Sequence, residues 1–169
     1  QIQTFWLHTS VFATIIGLGL ATFLFSYTPE KIVTIWHAFS KTFKIRLALI
    51  VSILAAIYVG VQLATNASFY QDYNVSLALW IYILCFSIGL VLDALCVIFG
   101  KQQWLIWVSL GNAACYGLGH WGFINELWSS DALVYILAGG ACLKAVILTG
   151  ALKPAFRNIA PTENIVLKQ

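Results

Sequence analysis

Charged side chains supply only 9% of this 169-residue chain, against roughly 25% in an ordinary soluble domain. Nothing polar makes up the deficit, because 61% of the residues are hydrophobic and the mean hydropathy is +0.89. A soluble fold covered by ionic groups is therefore excluded. Proline is scarce, at three residues, so long unbroken helices are permitted. Methionine is absent even at position 1, and the N-terminus is expected to be processed or trimmed, or to follow further residues, with an additional helix among them left open.

Missing motifs narrow the chemistry further. The four cysteines, Cys85, Cys96, Cys115 and Cys142, show no C-x-x-C or metal-ligand spacing and read as small apolar packing residues, with no metal site expected. There is no G-x-S-x-G, no H-E-x-x-H and no serine at a useful helical interval from a histidine, so nucleophilic catalysis finds no foothold and an enzyme has no support in the sequence. The formal net charge of +3 is not a nucleic-acid footprint, since eight of the nine Lys and Arg residues flank apolar runs.

Those runs are what the sequence does contain. Residues 4–27, 46–66, 77–99, 104–127 and 132–152 each approach the roughly 20 residues, at about 1.5 Å rise, that cross a bilayer. They predict an all-α fold, a polytopic transmembrane helical bundle of five spans forming one domain over residues 1–152. Residues 153–169, with Pro154 and Pro161, read as a short and mostly irregular cytoplasmic tail. Lys31, Lys41, Lys44 and Arg46 lie between spans 1 and 2, Lys101 between spans 3 and 4, and Lys153, Arg157 and Lys168 after span 5. The remaining two connections carry only Asp72 and Asp131, with Glu126 at a helix end. Enrichment of positive charge on the cytoplasmic side then places the N-terminus outside and the C-terminus inside an integral membrane protein.

Segment 28–44 differs in kind. Thr28 suits an N-cap, Pro29 the first turn, and Glu30 the positive end of the helix dipole. Ile32, Trp36, Phe39 and Phe43 recur at helical spacing opposite Lys31, Lys41 and Lys44. This pattern predicts an amphipathic interfacial helix between spans 1 and 2, or equally an extension of span 2 packed on a partner, because periodicity does not distinguish lipid from protein.

Ionisable groups inside a span are costly and turn toward the bundle interior, which makes them the best functional pointers. Asp93 and Lys144 fall at depths of about 9 and 12 Å from the inner ends of spans 3 and 5, so they are expected to pair. In span 4, Ser109, Asn112, Tyr116, His120 and Glu126 share an arc of roughly 120°, while Gly111, Cys115 and Gly122 form a small-residue stripe for close helix approach. Span 4 is thus expected at the centre of the bundle, with one face packed and one lining a polar interior. In span 3, Tyr82, Gly89, Asp93 and Cys96 share a face.

The leading expectation is a polar intramembrane pocket lined by Asp93, Asn112, Tyr116, His120 and Lys144 that binds or translocates a small solute or ion. A second reading is an accessory subunit of a larger membrane complex, in which the same residues lock helices together or face a partner subunit or a second copy of the chain. A third uses His8 and His120 to hold haem in a haem- or quinone-binding electron-transfer subunit. The lipid bilayer is the one partner common to all three, and nucleic acid is not expected to be one.

Overall fold

Apolar runs this long have one way to satisfy their backbone groups internally without a sheet partner, which is the α-helix. The computed structural model describes residues 10–11, 14–15, 21–65 and 73–159, and among them the fold is all-helical with no strand. The first expected span lies largely outside the described residues; positions 10–11, 14–15 and 21–24 are helical and a turn follows at 25–26. Five further helices are α1 (Pro29–Ala38), α2 (Lys41–Thr65), α3 (Tyr73–Ile98), α4 (Gln102–Ile124) and α5 (Ser130–Asn158).

Three of these are long and apolar enough to cross a membrane: α2 over Lys44–Val61, α3 over Val75–Ile98 and α5 over Asp131–Asn158. Helix α4, expected as the fourth span, is long enough at 23 residues but does not join them. Gln102, Gln103, Asn112 and His120, together with its Trp and Gly residues, dilute its Leu and Ile.

Helix α5 and helix α3 make the core. Leu79, Ile83 and Tyr82 of α3 pack with Leu133, Leu137 and Ala141 of α5, and α2 adds Ala55 and Val59 along one edge. A second apolar cluster joins Leu92 and Cys96 of α3 to Leu148 and Leu152 of α5. Leu79 and Ile83 meet Leu133 and Leu137 in the first cluster while Leu92 and Cys96 meet Leu148 and Leu152 in the second, so the two helices advance together and are parallel. Helix α4 runs back antiparallel to them and packs chiefly on α5, touching α3 little.

The expected central place of span 4 is therefore corrected: α5 is central and α4 peripheral. Trp107, Leu118, Trp121 and Ile124 of α4 are exposed, and of the stripe named for close approach only Cys115 serves it, facing Gly140. Nothing lies within 4 Å of a Cβ built on Gly111, while Gly122 is covered by the Trp128 indole. The glycines that bring helices together are Gly119, whose Cβ would stand 3.2 Å from Leu133 Cδ1 and Ile136 Cγ2, and Gly140, facing Asn112 and Tyr116.

Local chemistry sets the helix ends. Ser129 caps α5 by accepting a hydrogen bond from the Ala132 backbone N–H, with Asp131 in the first turn. Helix α3 closes in a Schellman turn in which the Lys101 N–H donates to Cys96 O and Gly100 takes φ 67°. Helix α4 closes the same way, through the Leu127 N–H to Gly122 O, but the left-handed position is Glu126 at φ 58°. This turn ends α4 before Glu126, which removes that carboxylate from the polar arc expected of span 4. Because a Cβ in the left-handed region costs about 1 kcal/mol, Glu126→Gly is expected to raise stability by up to that amount in a denaturant titration. A loss instead would show that the Glu126 side chain has a role that its backbone strain conceals.

Two further expectations change at the segment ends. The amphipathic run does not continue to residue 44; Phe39 is extended at φ −66°, ψ 123°, so α1 stops at Ala38 and Lys41 opens α2. Ile32 and Val33 of α1 are buried against the protein, and Trp36 meets Phe156 edge-on with Lys44 Nζ 4.4 Å above its ring. The tail expected from residue 153 is helical to Asn158, straight through Pro154. Packing offsets the lost backbone hydrogen bond: Leu152 is buried and Phe156 stacks on Phe99 at 4.9 Å. Phe156→Ala is accordingly expected to fray Lys153–Asn158, seen as faster amide hydrogen exchange there with α5 upstream unchanged.

Candidate functional site

Between the two apolar clusters, the interface of α3, α4 and α5 turns polar. On α3, Tyr82, Cys85, Gly89 and Asp93 follow one another at helical spacing and share a face. Lys144 enters this gap from α5, its stem lying across buried Gly89 with Cδ and Cε each 3.9 Å from where a Cβ would stand. Its ammonium donates to Asp93 Oδ2 at 2.7 Å, a charge-assisted hydrogen bond in an ion pair whose Lys and Asp side chains are 16% and 25% exposed. The second carboxylate oxygen, Asp93 Oδ1, is buried and has no hydrogen-bond partner among the described residues.

One turn toward the N-terminus of α5, Gly140 lets α4 approach. A Cβ there would stand 3.1 Å from Asn112 Oδ1 and 3.5 Å from the Tyr116 ring, so the missing side chain is what admits both groups. Tyr116 lies beside Tyr82 and Asn112, and Ser10 lies beside Tyr82, which gathers four polar side chains at this level. Proximity does not complete the pairing, however. Tyr116 Oη and Asn112 Oδ1 are both buried, and neither reaches hydrogen-bond geometry with a described residue.

The structure therefore brings Asp93 and Lys144 together, sets Asn112 and Tyr116 together about 6 Å further along α5, and leaves His120 out. His120 is exposed on α4, and its Nδ1 stands 2.9 Å from the Tyr116 carbonyl oxygen in its own helix. Asn112 and Tyr116 of the expected arc turn toward α5, while His120 stays on the exposed side of α4. His8, its proposed haem partner, lies outside the described residues. Among the described residues no three His, Cys, Asp or Glu side chains cluster as a metal site.

Sequence reasoning missed a contact between two thiols. Cys85 of α3 and Cys142 of α5 face each other with Sγ atoms 3.1 Å apart, both half-buried and both free thiols. Their separation of 57 residues carries no motif; the signal available was that each falls near the middle of an apolar run. Comparison of the chain with protein-family models, curated proteins and solved structures finds no match, so its function is read from these residues alone.

Proposed function

We propose that the chain is an integral membrane protein of five spans, with the N-terminus outside and the C-terminus inside, and that α3, α4 and α5 hold a polar intramembrane site for a small solute or ion. The observation that carries this reading is the trio of buried oxygens, Asp93 Oδ1, Asn112 Oδ1 and Tyr116 Oη, none of which completes a hydrogen bond of good geometry among the described residues. Leaving such groups unsatisfied costs about 1–3 kcal/mol each, and a donor-bearing solute or a cation removes that cost. Helix α4 fits the same account, because a helix too polar to face lipid all round gains from turning Asn112 and Tyr116 inward. In this arrangement α1 lies along the positively charged side of the bundle, where its exposed Lys31 meets headgroups.

Native mass spectrometry of protein released from lipid nanodiscs tests the site. Wild type is expected to carry a small-solute or ion adduct, and Asn112→Leu with Tyr116→Phe is expected to lower its occupancy about tenfold, the equivalent of roughly 1.4 kcal/mol. Adduct-free wild type, or an adduct indifferent to both substitutions, would sink this reading.

One observation favours an accessory subunit as the second reading. The outer face of α4 exposes Ala113 and Gly117, with nothing within 4 Å of a Cβ at Gly117, between exposed Trp107 and Trp121. Small residues flanked by aromatics let a neighbouring helix pack closely in lipid. The same spectra then show a partner subunit or a second copy bound to the chain in place of a solute.

A further inference from the structure

We infer that Cys85 and Cys142 form a redox latch: a dithiol at the bilayer midplane that a lipid-soluble two-electron acceptor of the quinone class converts to a disulfide joining α3 to α5. The inference rests on the membrane placement proposed above and adds a chemistry that the polar site does not use.

Geometry comes first. The two Sγ atoms are 3.1 Å apart on parallel helices that already form the principal packing pair of the fold. Bonded sulfurs stand about 2.04 Å apart, so closure asks for a shift of about 1 Å, within reach of small side-chain rotations. Cys96 is buried near Asp93 and Lys144, and Cys115 packs toward Gly140, so the contact distinguishes this pair from the other two thiols.

Depth then selects the oxidant. Cys85 is the thirteenth of the 26 residues of α3, about 18 Å along the helix from its start and about 20 Å from its end. A charged disulfide such as oxidised glutathione does not enter hydrocarbon at that depth, whereas a quinone partitions into it. The balance is closed by the quinone itself. Both S–H bonds break, one Sγ–Sγ bond forms, and the two electrons and two protons leave on the acceptor as its quinol.

Position gives the latch its consequence. Cys85 stands one turn from Tyr82 and two turns from Asp93 on the same face of α3, and Cys142 stands between Gly140 and Lys144 on α5. A bond there fixes the α3–α5 spacing at the polar site, so oxidation is expected to hold the site in one geometry and suppress solute exchange.

The test uses the full chain in lipid nanodiscs, treated with duroquinone or with oxidised glutathione. Duroquinone is expected to lower the intact mass by about 2 Da, through loss of two hydrogens, and to reduce the four titratable thiols to two, with dithiothreitol restoring them. Cys85→Ala and Cys142→Ala are each expected to abolish the mass change. Proteolytic mapping of oxidised wild type, which needs no variant to fold, is expected to yield a Cys85–Cys142 cross-linked peptide. Four surviving thiols, or a cross-link through Cys96 or Cys115, would overturn the latch. Equal oxidation by glutathione disulfide would instead overturn the lipid-side acceptor and the midplane depth, while leaving the thiol pairing standing.

Discussion

Asp93→Asn and Lys144→Met are each expected to destabilise the folded chain by about 3 kcal/mol, the lower end for breaking a buried ion pair, while the double variant loses about 1 kcal/mol or less. The asymmetry follows from what each substitution leaves behind. With Asn at 93, Lys144 keeps its stem against buried Gly89 and its part-buried ammonium has lost its carboxylate partner. With Met at 144, Asp93 has lost its one described hydrogen bond and both carboxylate oxygens stand unpartnered. Removing both charges leaves an amide and a thioether of similar volume, neither of which needs desolvation of an ion. The residual exposure of the two side chains, 16% and 25%, is why the lower end of the range applies. Equilibrium unfolding in mixed micelles reads all three variants. Losses that simply add would mean the 2.7 Å contact contributes no coupling.

The same experiment separates the pair's role from that of the neighbouring oxygens. A structural clamp predicts that the double variant regains both stability and solute occupancy, since Asn112 and Tyr116 are untouched. A solute held on Asp93 Oδ1 predicts regained stability with occupancy still lost.

The sequence made this much of the site legible because charge inside an apolar run has few options. Asp93 and Lys144 are the only Asp, Glu, Lys or Arg residues deep within the expected spans, so each is the other's available counter-ion. Helical spacing likewise brought out the shared face of Tyr82, Gly89 and Asp93. Facts that depend on rotation and on chain ends were hidden. A 100° period assigns residues to an arc but does not say which arc a neighbour covers, so His120 read as lining and lies exposed. The closing turn of α4 uses Glu126 where Gly is the usual signal, so the helix read too long. Phe156 reaching Phe99 and Trp36 carries α5 past a proline that on its own reads as a stop. The Cys85–Cys142 contact belongs to tertiary packing alone, with no local pattern at either residue.

Gly119→Leu is expected to cost about 3 kcal/mol, the upper end for forcing extra carbons into a packed interface, and to lower solute occupancy although it changes neither Asn112 nor Tyr116. A Cβ at 119 already stands 3.2 Å from Leu133 Cδ1 and Ile136 Cγ2, and Leu133 is 1% exposed within the main cluster, so it has nowhere to retreat. Helix α4 must move away from α5 instead, which withdraws Asn112 and Tyr116 from Gly140. Gly119→Ala is the intermediate case: its single carbon meets the same 3.2 Å contacts, but alanine gains about 1 kcal/mol of helix propensity over glycine, so it is expected to fall near neutral. Gly117→Leu, where nothing lies within 4 Å, is the control and is expected to leave the isolated chain unharmed. Equal behaviour of Gly119→Leu and Gly117→Leu in unfolding would refute the close α4–α5 contact on which the site depends. The control also divides the two functional readings, because a subunit that packs a neighbour on the outer face of α4 loses that neighbour on Gly117→Leu, whereas a self-contained solute site keeps its solute.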